Sequence, residues 1–322
     1  MTPDFRITTG DTDLTNRLRS RLTKLVLTDN DGFKNDTLML VLDNRSPALP
    51  LPRTGVELSV ELGYTDALTF KGGFEVDEVA LSSPPATLTI IAKGSKINPA
   101  LKIRRTHTYE HITIGTLVET IARRSYMLAH VSASLAAVNL VYLKQASQSD
   151  QHLLAELAEN YDGKYKASAG RLLFYAKDDF KKISGEALKP VVIKPSDCLD
   201  WRINMSDRSN YGTVIAKWRN NEAAEIKRLH VGEGEPVYEM KAVFADETDA
   251  KTRAQTKYNE LLRGKVKGTF TVVGNAAIAG EYEVVLAGFG QTLLETAYKC
   301  TEAVHTIDNN GYRTQFKVVN KT

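Results

Sequence analysis

Two histidines four residues apart, in His107-Thr108-Tyr109-Glu110-His111, have the spacing at which a helix would turn two imidazoles and a neighbouring carboxylate toward one metal ion. The segment follows the basic run Lys102-Ile103-Arg104-Arg105 and precedes a helix cap, so an extended path is expected. Four residues of extended chain hold the imidazoles too far apart to share an ion. Both are read as solvated loop histidines. Glu75, Asp77 and Glu78 offer a second chemistry, the paired carboxylates of glycoside hydrolysis. Glu75 and Asp77 share a strand face, but such pairs are ordinary on an exposed face, and nothing in the sequence supplies the cleft that would raise a carboxyl pKa.

No phosphate-loop, HExxH or GxSxG pattern occurs, and Gly232-Glu233-Gly234 and Gly288-Phe289-Gly290 lack the third glycine of a dinucleotide site and read as turns. The basic cluster Arg17, Arg19, Arg21 and Lys24 has no interleaved aromatics for base stacking and reads as a solvated, protected edge. His305 is read as a cross-strand packing residue, and Trp201 and Trp218 as core or interface anchors. The expectation is a protein that is not an enzyme, with no catalytic, cofactor-binding or metal-binding residues. The sequence assigns no residue to a subunit or partner interface.

The elements that carry these residues begin with about a hundred residues of period-two alternation. Val56, Leu58, Val60 and Leu62 interleave with Glu57, Ser59 and Glu61, placing one face on a core and one in water. Similar runs cover 22–28, 37–42, 68–81 and 87–92, separated by turn clusters at Asp29-Asn30-Asp31-Gly32, Asn44 to Gly55 and Ser82-Ser83-Pro84-Pro85. Gly72-Gly73 reads as a bulge that bends a long strand. Helical spacing follows at 113–130, with Thr113 and Thr116 both placed to cap it, Thr116 together with Glu119. A second helix is expected over 150–161, with Asp150 as N-cap and Gly163 as its stop. A hairpin across Ala169-Gly170 comes next, then a connector at 181–195.

Strands resume at 199–205, 212–219, 238–244, 269–273, 282–286 and 298–307, interrupted by a helix at 246–262 closed by Arg263-Gly264. Asn310-Gly311 predicts a type I′ turn in a closing hairpin. The expected class is mainly β with an α+β insert: two related antiparallel β-barrel modules, 1–100 and 197–322, separated by a helix-plus-hairpin domain at 101–196.

Composition bounds the function. The 322 residues, 42% hydrophobic and 25% charged, match globular averages and exclude collagenous or disordered chains. The 42 Lys and Arg against 39 Asp and Glu leave +3, too balanced for a nucleic-acid footprint. Two cysteines, Cys198 and Cys300, exclude a disulfide scaffold; free thiols in a reducing compartment are expected, with a single bridge as the alternative. The N-terminus lacks an apolar leader, and the longest apolar stretch, 133–143, is broken by Asn139 and falls short of a span of about 20 residues. Neither a signal peptide nor a membrane span is expected.

Four segments in order carry a family likeness: Phe70-Lys71-Gly72-Gly73-Phe74-Glu75-Val76-Asp77; Gln148-Ser149-Asp150 opening an aliphatic helix that ends Tyr161-Asp162-Gly163; the helix 248–262; and Val304-His305-Thr306-Ile307-Asp308-Asn309-Asn310-Gly311-Tyr312-Arg313-Thr314. The sequence resembles the late control D family, the central hub proteins of contractile phage tails, related to the hub part of type VI secretion spike proteins. The polar cap before the aliphatic helix is the most specific of the four.

The resemblance implies a homotrimeric ring of doubled β modules that adapts a hexameric tail tube to a trimeric central spike. The implied partners are further copies of the chain, the central spike protein, the tail tube protein, and other baseplate and tape-measure proteins. No cofactor, no specific nucleic-acid recognition and no membrane span is implied. Location would be the baseplate of a virion tail or tail-like particle, after synthesis in the bacterial cytoplasm. The chain ends where the hub's second barrel would end, so the spike is expected as a separate polypeptide. The competing readings are a tail-associated peptidoglycan hydrolase or carbohydrate-binding protein built on Glu75, Asp77 and Glu78, and a metal enzyme built on His107 and His111.

Overall fold

Alternation of apolar and polar residues builds most of this chain, and the computed structural model describes residues 2–31, 36–45, 48–94, 98–168, 170–177, 190–205, 211–220, 223–263, 265–290 and 297–321. The expected connector at 181–189, the turn residues Gly32 and Ala169 and the helix stop Gly264 lie outside them. In chain order the elements are β1 (Pro3–Thr9), β2 (Thr12–Asp13), α1 (Thr15–Arg19), β3 (Leu22–Asn30), β4 (Thr37–Asp43), β5 (Glu57–Tyr64), β6 (Ala67–Ser82) and β7 (Thr87–Gly94). Then follow β8 (Arg104–Thr113), α2 (Ile114–Arg124), β9 (Leu128–Val131), α3 (Ala133–Ala136), β10 (Asn139–Ser149), α4 (Asp150–Asn160), β11 (Gly163–Ser168) and β12 (Arg171–Ala176). The remainder are β13 (Val191–Ile193), β14 (Cys198–Met205), β15 (Thr213–Asn220), β16 (Glu225–Gly232), β17 (Val237–Phe244), α5 (Glu247–Arg263), β18 (Val266–Val273), β19 (Glu283–Leu286), β20 (Ala297–Asp308) and β21 (Gly311–Asn320).

The chain forms two compact units, each drawn from separated stretches: 1–96 with 180–203 and 268–318, and 97–179 with 204–267 and 319–322. This grouping differs from three consecutive blocks, because the late strands β18 to β21 join the sheet that the first strands begin, while 211–263 packs elsewhere.

The first unit holds one large sheet, in spatial order β14-β18-β21-β20-β3-β4-β7-β6-β5-β1-β2, with β13 and β19 paired beside β20. Six strands recur in the same arrangement. β1, β3, β4, β5, β6 and β7 pair as 1-5-6-7-4-3, and β13, β14, β18, β19, β20 and β21 pair as 13-19-20-21-18-14. The halves differ in one direction: β1 runs antiparallel to β5, and β13 parallel to β19. The two halves meet where β20 pairs antiparallel with β3, from Glu302 opposite Asn30 to Asp308 opposite Lys24.

Among the described residues the sheet path is open and does not close into barrels by strand pairing. The long β6 makes the fold-over instead. Its first part pairs with β5 and its second with β7, and a bulge opposite Val60 and Glu61, where Gly72 has a φ of 126°, bends it between them. Phe5, Ile7 and Val60 thereby share one core with Leu27, Leu40 and Leu88. In the second half Phe270 stacks on Phe316 at 5.3 Å, and Phe289 meets Phe270 edge-on. The closing hairpin forms with a different turn from the one expected. Gly311 alone takes positive φ, at 102°, and Asn310 does not, which is a type I turn with a glycine bulge and not type I′.

In the second unit α2 ends at Arg124, well short of 130. Tyr126 adopts φ 56°, and the amides of Tyr126 and Met127 return to the carbonyls of Arg123 and Ala122, a Schellman stop after which Leu128 opens a strand. Thr113 is its cap, accepting the Thr116 amide at 3.2 Å. Ser149 caps α4, and Asp162, at φ 50°, turns the chain out of it, so Asp150 and Gly163 have other roles. Gly163 begins β11.

Asp150 is fully buried and receives Arg124 Nε at 2.7 Å, Arg105 Nε at 3.3 Å and Gln145 Nε2 at 2.8 Å. It ties α4 to α2 and to the ribbon of β8 and β10, strands absent from the sequence reading along with β9 and β16. Its removal leaves the half-buried Arg124 and Arg105 and the buried Gln145 amide without their shared acceptor, so Asp150→Ala is expected to lower unfolding free energy by about 2–3 kcal/mol. Urea denaturation showing a loss under about 1 kcal/mol, the value of a surface ion pair, would refute this role.

Candidate functional site

The expected chemical candidates do not converge in space. His107 and His111 lie exposed on β8, with His107 opposite Gln145 and its ring edge against Tyr109 at 4.4 Å. Among the described residues no group of three or more His, Cys, Asp or Glu side chains is placed to hold a metal. Asp77 is the extra residue of a second bulge in β6 and pairs with Lys93 at 2.6 Å, while Glu75 stands opposite Lys93 and Glu57. Arg19 pairs with Asp4 at 2.6 Å. Cys300 is buried, Cys198 half-buried, and both are free thiols. Burial pushes the Cys198 thiol up to about 11, far from thiolate chemistry. No helix among the described residues is long and apolar enough to cross a membrane.

A cleft of about 670 Å³ in the second unit gathers Tyr161, Trp218, Arg219, Asp246 and Asp249. Two of its acids are engaged: Asp249 accepts the Tyr161 hydroxyl at 2.9 Å and pairs with Arg253 at 3.1 Å, and Asp246 caps the Asp249 amide. These contacts fasten α5 to the end of α4. Beside them, burial raises the Asp162 carboxyl, but hydrogen bonds and charge from Arg263 outweigh it and hold the group below the usual carboxylate range.

His305 is a cross-strand residue, buried on β20 opposite Leu27. Its Nε2 lies 3.0 Å from the Ile278 carbonyl, which can only accept, so Nε2 carries the proton and Nδ1 accepts from the Tyr312 hydroxyl at 2.9 Å. Lys71 also donates to the Ile278 carbonyl at 3.1 Å, and the Tyr64 hydroxyl to that of Gly274 at 2.9 Å. A Cβ on Gly274 would stand 2.0 Å from the Tyr312 ring, so only glycine fits. The 274–278 segment of the second half is thus fixed on Tyr64 and Lys71 of the first.

The edges of the sheet differ from one another. On β1 the amides that point away from β5 are those of residues 3, 5 and 7. Pro3 has none, Phe5 is bonded to Asp4 Oδ1 at 2.8 Å, and Ile7 to Thr15 Oγ1 at 3.0 Å. That edge is closed. β14 ends the sheet path with one strand neighbour, β18, among the described residues. Its alternate residues Leu199, Trp201 and Ile203 form an apolar row, Leu199 exposed at 59% and Trp201 at 46%, although Trp201 reaches the core edge-on through Phe289 at 5.2 Å. Among the described residues the second part of β6 pairs with β7 alone, and Leu81 is 57% exposed. These two open strands are the candidate functional surface, an assembly edge.

No family model matches the chain. A "probable baseplate hub protein" of Escherichia phage P2 is 28% identical over 99% of this chain and 93% of its own length. Along nearly its whole length this chain is similar to probable phage baseplate hub proteins. Solved structures share the fold. A 43 kDa tail protein of prophage MuSo2 from Shewanella oneidensis superimposes with a TM-score of 0.71 at 13% identity, covering 99% of this chain and 98% of its own. A type VI secretion system component of Escherichia coli, described as similar to phage T4 tail proteins, gives 0.57 at 9% identity, covering 94% and 74%.

Sequence reasoning found the hub resemblance but missed the open edges of this hub relative. The alternation of Leu199, Trp201 and Ile203 was the available signal, and nothing in it separates an edge strand from a central one.

Burial drives the His305 imidazole down to about 3, with the Lys71 charge adding to it. The unfolded chain binds a proton on this histidine below about 6.5 while the folded chain does not, so stability is full above that pH and falls as pH drops toward 3. His305→Gln is expected to remove up to about 1 kcal/mol per pH unit from the acid slope of stability between pH 6 and 4. Equal slopes in the two proteins by thermal melting would contradict it.

Proposed function

We propose that this chain is the structural hub of a contractile phage tail baseplate, forming a homotrimeric ring that adapts the hexameric tail tube to the trimeric central spike. The observation that carries the proposal is the doubled six-strand arrangement within one unit, found in a chain alike over its whole length to a phage baseplate hub protein. Two equivalent modules per chain turn a trimer into six similar units, so a ring can match sixfold symmetry on one side and threefold on the other. On this reading its partners are the spike protein, the tube protein, and other baseplate and tape-measure proteins, and its place is the virion tail. The engaged carboxylates at Asp77 and Asp249 support a structural part over a hydrolase.

The purified chain, alone or co-expressed with its spike protein, is expected to sediment as a trimer and to retain the spike through affinity purification. A monomer by light scattering over about a hundredfold concentration range, together with no retention of the spike, would overturn the proposal. A cell-wall zymogram cleared by this chain but not by Glu75→Gln would favour a hydrolase.

A further inference from the structure

The doubled sheet supplies a template for its own continuation. Within the chain, β20 of the second half lies antiparallel along β3 of the first, and the strands that meet there are buried: Leu25 and Leu27 on β3 are 0% and 1% exposed. By the matched pairing order, β20 corresponds to β6 and β3 to β14. The corresponding pair, β6 and β14, are the two strands with an open edge among the described residues. Resting on the trimer reading, we propose that residues 77–82 of β6 in one copy pair antiparallel with β14 of the next copy, repeating between chains the junction that β20 and β3 make within one.

Three observations commit the occupant to a second copy. The intrachain junction shows that the two kinds of strand fit each other, β20 supplying residues 302–308 just before its hairpin turn, as 77–82 precede the turn at 83–86. The apolar residues match: Val79 and Leu81 on β6 stand opposite Ile90 and Leu88, on the core side, and Trp201 on β14 reaches its own core through Phe289. The β1 edge, with its amides removed or bonded to Asp4 and Thr15, is closed to pairing, so chains cannot join there. A join between two different edges is head-to-tail, the kind that closes a ring of any number, where a join of one edge to itself stops at two copies.

Cys198 begins β14 and offers a built-in probe. Antiparallel pairing brings it to the end of β6, and it lies on the face away from the core row, as do Glu78, Ala80 and Ser82. Cysteine placed in turn at Glu78, Ala80 and Ser82 is expected to form a disulfide between chains with Cys198 at one of these positions under mild oxidation. Non-reducing gels then show dimers and trimers that vanish when Cys198→Ser is added. Leu81→Lys, at an exposed position, is expected to keep the monomer's melting temperature and raise the concentration for half-dissociation at least about tenfold. A trimer that persists in Leu81→Lys, with no cross-link from any of the three positions, overturns this pairing and leaves the ring. Absence of any trimer in the unmodified chain, with no retention of the spike, overturns the ring itself. Cross-links that form only to a different protein overturn the second copy as occupant.

Discussion

Seven cross-strand pairs between β3 and β20, from Lys24 opposite Asp308 to Asn30 opposite Glu302, make one sheet of strands that lie about 270 residues apart in the chain. Closing so long a loop costs chain entropy before any contact repays it, so the junction has to bury a great deal at once. It does so with Leu25 and Leu27 on one strand and His305 and Ile307 on the other. His305 sits in the middle, its proton fixed toward the Ile278 carbonyl, and the Tyr312 and Lys71 contacts around it join the two halves through side chains as well as backbone. A neutral imidazole with both nitrogens bonded is a polar group that a core can hold, and it sets register because a slip by one residue would turn it to the opposite face.

The remaining architecture follows from having that junction once inside the chain. The first half folds over through its long strand β6, which pairs with β5 along its first part and β7 along its second, and in the second half β20 pairs with β19, β21 and β3. In the second half the chain leaves the sheet after β14 and returns at β18, and the intervening 60 residues make the β15–β17 sheet with α5 packed on it through Val214, Ala216, Ala250 and Ala254. The connection between halves makes the other part of the second unit, where the buried Asp150 holds α4, α2 and the β8–β10 ribbon to one geometry. Charge is used throughout to position elements, and Asp77, one of the carboxylates with a catalytic look in the sequence, is held by Lys93.

What could be read in advance follows a physical division. The period-two runs of the first hundred residues gave β3 to β7 within a residue or two, because each has one wet and one dry face, and alternation records that locally. Strands with no wet-dry contrast were lost: β8 and β10 form a ribbon of largely polar, exposed residues, and β16 is exposed along most of its length. Caps were missed by one position at Ser149 and Asp150, since both types cap well and only the demand for a buried anion beside Arg124 separates them. The stop of α2 at a tyrosine with positive φ has no sequence signature, glycine being the residue expected there.

The sequence by itself determined the mainly β class, the alternating faces of most strands, the two helices α4 and α5, and the likeness to tail hubs, each written in neighbouring residues. The tertiary structure decided which strands neighbour which: that residues 297–320 complete a sheet begun at residue 3, that the two halves repeat one pairing order without a visible residue repeat, and that β14 and the end of β6 are left open while β1 is shut. Pairing is a property of backbone groups that every residue but proline carries alike, so composition cannot announce it. Only the fold shows which of those groups has found a partner.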